Sequence, residues 1–347
     1  MPLIGDNMYS IDKKTSEVIN LLKVICILMV LYIHSSGNVV HQNITESFYF
    51  REFKYFISTI VCTCAVPLFF MLSGLLLYRK PFLFKENLKK KIRTLLIPYI
   101  LVNLMWIIIF FFAYQFNFSK QFIVNDDWII QNWDIKKWIS MWVGFPVYPM
   151  VFPLWFIRDL LVLNIISKLI KYVIDCAPKL IFIIMSILWL INFQTNIFFL
   201  QYQSLYFFTL GYYVIKYNIN LEKIYKLKGI ELLYLLIIIL EYLLRDVYLH
   251  QLQIFIAVIF WIKIATKIKN VNLLVKISKY SFGIFLLHEW SLTIIKKLIF
   301  KVFPITDFNL MIIYLFTPLV LMVFLIIGLS FFRKYLNGAY KLLTGGR

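Results

Sequence analysis

The feature that most limits what this chain can fold into is a procession of apolar runs, each close to the length of a membrane-crossing helix and each bounded by charge. Ten such runs lie at about 18–38, 56–78, 94–116, 151–172, 180–198, 203–216, 230–249, 251–268, 280–298 and 310–332. A helix of about 20 residues crosses a hydrocarbon layer of about 30 Å. In lipid, a helix is one of the few structures that satisfies its own backbone polar groups. The expectation is an all-α integral membrane protein of about ten transmembrane helices. The sixth run is short and the fifth is interrupted by the polar NFQTN at 192–196, so the count turns on the stretch 180–216. A total of nine would reverse the C-terminus.

Composition supports this class. Of 347 residues, 62% are hydrophobic and 15% charged, against about 45–50% and about 25% in soluble domains. No polar linker separates two blocks, so residues 1–347 are expected to form one polytopic membrane domain. The segment 1–17 is polar and partly acidic, unlike a cleavable signal peptide. It is read as a cytoplasmic N-terminal segment, with 333–347 as a cytoplasmic tail.

A formal charge of +19 raises the question of a nucleic-acid partner, and the placement of the basic residues answers it. Short loops rich in Lys and Arg stay in the cytoplasm. With both termini inside, the cytoplasmic segments hold 25 of the 36 Lys and Arg, the opposite side nine, and Lys23 and Arg158 fall within spans. The charge is spent on topology in short separate loops, which gives no stripe for nucleic acid. The expected location is the cytoplasmic membrane, with multiple passes and the lipid bilayer as the surrounding partner.

The densest basic loop is RKPFLFKENLKKKIR at 79–93. Its simplest reading is a topology signal beside anionic head groups. A sharper one is that Lys91 and Arg93, at the entrance of the third span, also hold a phosphate-bearing ligand. Between the third and fourth spans, NDDWIIQNWDIKKWISMW reads as an interfacial aromatic helix, or alternatively as a platform on which a sugar ring stacks.

Cys26, Cys62, Cys64 and Cys176 lack zinc or redox spacing and read as packing residues. The histidines, His34, His41, His250 and His288, show no ligand spacing on one helix, so no metal is expected. No Gly-rich phosphate loop or GxSxG element is present in the sequence.

The first run, KVICILMVLYIH, holds ten uncharged residues between Lys23 and His34. Eleven helical steps of about 100° leave the two about 20° apart in azimuth and about 16 Å apart along the axis. Ionisable groups at membrane depth are costly and face a protein interior or a water-filled cavity. A stripe from Lys23 to His34 therefore faces inward, although Lys23 has the option of snorkelling. Histidine is also the side chain suited to take and return a proton near neutral pH.

This cation-x10-His spacing resembles the signature of the membrane-bound acyltransferase 3 family, whose usual form begins with Arg; Lys23 stands at that position. VPLFFMLSGLLLYRK at 66–80, PLWFIRDLLV at 153–162 and ISKYSFGIFLLHEW at 277–290 are similar to stretches of the same family. KIR before TLLIPY resembles its Arg-x-Arg pair, again with Lys first. Together these cover most of the chain in the expected order. The resemblance implies transfer of an acyl group, most often acetyl from acetyl-CoA, to a hydroxyl of a cell-envelope or exported glycan or another small acceptor.

In that chemistry, Lys91 and Arg93 would hold the CoA phosphates at the cytoplasmic face while the pantetheine arm follows the stripe from Lys23 toward His34. His34 is assigned as general base. Donors to the tetrahedral oxyanion are sought among Lys23, Ser73 and a backbone amide near Gly74. A covalent acyl-enzyme is the alternative to direct transfer. Ser73-Gly74 equally suits a small-residue helix contact. Arg158, with Trp155 beside it, is a candidate acceptor contact, or else one partner of a structural ion pair with a residue such as Glu241. Arg158 and Asp159 are adjacent and expected on different faces. His288 and Glu289 are candidates to orient His34 or return a proton, or else structural.

The rival from another class is a transporter or flippase for an envelope glycolipid or sugar precursor, which buried charges in a helical bundle also suit. A ligand-sensing membrane module is a third reading. The four motif stretches favour the acyltransferase.

Overall fold

The computed structural model describes residues 12–37, 46–79, 83–116, 129–145, 147–194 and 200–346. His41 and Trp128 lie outside the described residues. The helices are α1 (Lys13–Ser35), α2 (Phe48–Lys54), α3 (Ala65–Tyr78), α4 (Phe84–Lys91), α5 (Ile97–Ala113), α6 (Ile135–Val143), α7 (Trp155–Cys176) and α8 (Pro178–Leu190). They continue as α9 (Tyr202–Lys216), α10 (Ile230–Leu244), α11 (Val247–Lys267), α12 (Asn272–Ser278), α13 (Ser281–Val302), α14 (Asp307–Tyr335) and α15 (Asn337–Thr344). Two wider, π-helical turns, Tyr55–Val61 and Ile92–Leu96, join α2 toward α3 and α4 to α5. No strand occurs among the described residues.

Each of the ten apolar runs meets a helix, but the helices are unequal. Among the described residues five stretches are long and apolar enough to cross a membrane: Lys13–Ser35, Phe48–Tyr78, Phe84–Ala113, Val247–Lys267 and Asp307–Tyr335. Phe152–Cys176 and Pro178–Leu190 bend by 113° at their junction and make a sixth if read together. Helices α8, α9 and α10 have 13, 15 and 15 residues, or only about 20–22 Å of rise. Hydropathy reads how apolar a run is, whereas helix length is set by breaks within it. Here those are Pro178 at the start of α8 and Arg245, in the left-handed region with φ of 51°, after α10. Helix α13 is long enough, but Glu289, Lys296 and Lys297 dilute its apolar character.

The chain divides into two compact units, each assembled from separated stretches. The first gathers residues 1–36, 47–89 and 162–281; the second gathers 37–46, 90–161 and 282–347.

In the first unit α1 is the central element. Asp12 caps it, its carboxylate accepting from the Thr15 amide at 2.7 Å. Leu22, Ile27 and Leu31 are wholly buried, against a surround that includes α3, α11 and α12. Helices α3 and α9 cross at two glycines. A Cβ on Gly74 would lie 2.1 Å from the Phe208 carbonyl oxygen, and one on Gly211 would lie 2.2 Å from the Met71 oxygen and 2.5 Å from the Leu75 nitrogen. Only hydrogen in place of a side chain permits this approach, the usual device of helix contacts in lipid.

The polar ends of this unit sort by segment. Asp175 receives Lys171, Lys216 and Tyr212, while Glu231 pairs with Lys263 and Lys267. These come from segments that the charge count assigns to one side. At the other end Glu52 meets Arg245, Glu241 meets His250 at 3.0 Å, and Gln251 donates to Asn192 at 2.8 Å.

In the second unit, the segment 129–154 runs along α5. Gln131 donates to the Phe111 carbonyl at 2.9 Å, Trp142 to that of Ile100 at 3.1 Å, and Tyr99 donates its hydroxyl to the Val143 carbonyl at 2.8 Å. From Ile100 to Phe111 is about 16 Å of helix. Gly345, with φ of +67°, backs onto Thr94 in the second wide turn.

The glycine crossing yields a test. Gly211→Ala places a methyl against backbone of α3 and is expected to lower stability by about 1–3 kcal/mol, read as an earlier melting transition of the detergent-purified protein. Gly328→Ala, whose Cβ meets nothing within 4 Å, is expected to leave the transition in place.

Candidate functional site

Helix α1 runs unbroken through both Lys23 and His34, so the stripe geometry of about 20° and about 16 Å holds. Both side chains are half-buried. Lys23 donates from Nζ to the Asn20 carboxamide oxygen at 3.2 Å, one turn earlier on the same face. His34 occupies the last turn, where a helix leaves carbonyls without intrahelical donors. Two side chains from the α2 end and the adjoining wide turn serve them. Ser58 donates its hydroxyl to the Tyr32 carbonyl at 2.8 Å, and Lys54 donates from Nζ to the Ser36 carbonyl at 3.2 Å. Both donors are buried, at 4% and 9% exposure. They fix the turn that carries the imidazole. Wide turns of this type concentrate at functional sites.

Ser73 lies half-buried on α3 next to Gly74. The glycine is the helix contact that small-residue spacing suggested, and the serine sits at its edge.

The other sequence candidates belong to the second unit. His288 is wholly buried, and its Nδ1 lies 2.8 Å from the Phe285 carbonyl oxygen. A carbonyl only accepts, so Nδ1 carries a proton. Glu289 is half-buried one residue on. The following Trp290 packs edge-on to Phe110, ring centroids 4.6 Å apart, and tilted against Trp106 at 6.4 Å.

Arg158 donates from Nη1 to the Gly144 carbonyl at 2.9 Å, and its guanidinium lies 5.8 Å from the centre of the Tyr148 ring. Its other terminal nitrogen reaches Asp159 at 3.7 Å, a contact that adjacency on a helix argued against. A long side chain curls back where a short one diverges. Glu241, suggested from sequence as its ion-pair partner, is instead engaged by His250 and, at 3.4 Å, by the Tyr55 hydroxyl. Trp155 is half-buried at the start of α7.

Lys91 and Arg93 are two residues apart on a continuous helical stretch and project to roughly opposite sides. Lys91 is half-buried and Arg93 exposed. The exposed side shared with Arg93 carries Lys89, one turn earlier. A two-residue motif is thus one half of a wider basic face, not a pair converging on one group.

Sequence reasoning passed over Asn103. It is fully buried, accepts from the Val151 amide at 3.0 Å and donates to the Tyr99 carbonyl at 3.1 Å, joining the segment 129–154 to α5. An amide inside the run LVNLMW was a legible signal of a buried polar tie. Lys54 and Ser58 carried no such mark, since their role comes from the wide turn.

Comparison with known proteins gives the family. A family model described as an acyltransferase domain, acyltransferase 3, matches residues 17–332. The chain is similar to the succinoglycan biosynthesis protein ExoH of Rhizobium meliloti (strain 1021), with 21% identity over 215 residues, which are 61% of this chain and 57% of that protein. The chain thus spans little more than half the length of that curated relative. No solved structure matches. The family match runs from the start of α1 to the last turns of α14 and takes in every candidate residue above, and the chain belongs to the acyltransferase 3 family.

Proposed function

We propose that this protein is a multi-pass O-acyltransferase of the cytoplasmic membrane, with both termini cytoplasmic. It moves an acyl group, acetyl in the first instance, from acyl-CoA to a hydroxyl of a cell-envelope or exported glycan. The observation that carries the reading is His34, held on the last turn of an uninterrupted α1 by Ser58 and Lys54, with Lys23 about 16 Å away on the same stripe.

In this reading the exposed basic face of α4 and the following wide turn, with Arg93 and Lys89, supplies cations for the CoA phosphates, and Lys91 takes the flank. The pantetheine arm lies along the Lys23 stripe. The acceptor hydroxyl loses its proton to the His34 imidazole as its oxygen attacks the thioester carbonyl carbon. The tetrahedral oxyanion draws on Lys23 or Ser73. The C–S bond then breaks, the sulfur takes the proton from His34, and the products are an ester and free CoA thiol. His288 and Glu289 are the residues proposed for proton return, and Arg158 and Trp155 those proposed for contact with the acceptor. ExoH is named for succinoglycan biosynthesis, which supports a glycan acceptor here.

Purified full-length protein in nanodiscs, given acetyl-CoA and a saccharide acceptor, is expected to release thiol. His34→Ala lowers that rate by about 10²–10⁴-fold, the usual contribution of a positioned base, without moving the melting transition. Lys23→Arg retains turnover and Lys23→Met loses it. Full activity in folded His34→Ala protein would exclude this mechanism.

A further inference from the structure

At the α10–α11 turn the first unit holds a polar cluster that the acyl-transfer stripe does not use. The Glu241 carboxylate is 1% exposed. Its Oε1 takes the His250 Nδ1 at 3.0 Å and the Tyr55 hydroxyl at 3.4 Å, while Oε2 is buried with no hydrogen-bond partner among the described residues. Arg245 pairs with Glu52 and lies over the Tyr55 ring at 4.5 Å and the Tyr242 ring at 6.0 Å.

A buried carboxylate oxygen without a donor is costly and calls for an explanation. A carboxylate oxygen accepts, so the His250 Nδ1 donates to it, which leaves Nε2 for a second hydrogen bond. His250 keeps about a quarter of its side chain exposed and Arg245 about half, at 26% and 48%. The cluster thus combines a half-exposed arginine, a partly exposed imidazole and two phenol rings with a buried carboxylate that has an open oxygen. Two carboxylates disfavour an anionic ligand, and the arginine disfavours a cation. Neutral hydroxyls, which both donate and accept, match every group, and aromatic faces suit the apolar side of a sugar ring.

We propose that Glu241, His250, Arg245 and Tyr55 form a saccharide-binding subsite, separate from the His34 stripe, that holds the acceptor glycan. The inference rests on the acyl-acceptor reading above for its choice of ligand. The charge count puts residues 39–54 and 245–250 on the non-cytoplasmic side together, and in the structure Glu52 and Arg245 do meet.

The test measures binding, not turnover. The host cell's own extracellular polysaccharide, stripped of esters by mild base and cut to oligosaccharides, is titrated into nanodisc-held full-length protein and followed by tryptophan fluorescence. Wild type binds saturably. Glu241→Gln and His250→Asn weaken the interaction about tenfold or more, and Lys179→Gln, at an exposed position elsewhere, does not. If Glu241→Gln fails to fold, Arg245→Gln, altered at an exposed side chain, carries the same expectation. Absence of wild-type binding at millimolar saccharide, or unchanged affinity in folded variants, overturns the subsite. Thiol release is scored separately, so the subsite and the acyl-transfer reading fail independently.

Discussion

The last turn of α1 is the constraint on which the rest depends. A helix end exposes carbonyls that water would satisfy at a surface, but in an apolar bundle each must find a protein donor. Ser58 and Lys54 supply two, and the wide turn that carries Ser58 is what brings both into reach. Catalysis by a positioned base demands an imidazole that does not wander. The same bonds that satisfy the backbone hold the turn from which the His34 imidazole projects, which is what the role proposed for it above requires.

That wide turn has a second face. Tyr55, at its start, and Glu52, a turn earlier, reach Glu241 and Arg245, while Ser58 and Lys54 reach α1. One short segment therefore ties the end of α1 to the α10–α11 turn, and the burial of Glu52, Lys54 and Ser58 leaves little room for independent movement. The glycine crossing of α3 on α9 anchors the helix that follows this segment.

Much of this was legible in the residues. Each apolar run meets a helix, and the Lys23–His34 spacing needs only helical geometry to place both on one stripe. Gly74 reads as a close contact from its neighbour Ser73 and its apolar surroundings. Other features were hidden because they depend on shape. Helix length is set by breaks such as Pro178 and Arg245, so among the described residues five or six stretches meet the length and apolarity for a membrane crossing where the sequence has ten apolar runs. The segment with Trp133, Trp138 and Trp142 read as an interfacial helix, and the bonds of Trp142, Tyr99 and Asn103 that hold it along α5 are non-local. Glu241 found His250, nine residues on across a turn, because the left-handed Arg245 reverses the chain and brings the two helices side by side.

The interleaving of the two units also bears on biosynthesis. Helix α1 packs on α12, which begins at Asn272, so during synthesis at about 5–20 residues per second α1 waits roughly ten to fifty seconds for that neighbour. Through that interval Lys23 and His34 lack their finished surroundings. The nascent helix therefore depends on the insertion machinery, or on early pairing with α3, to shelter two ionisable groups from lipid.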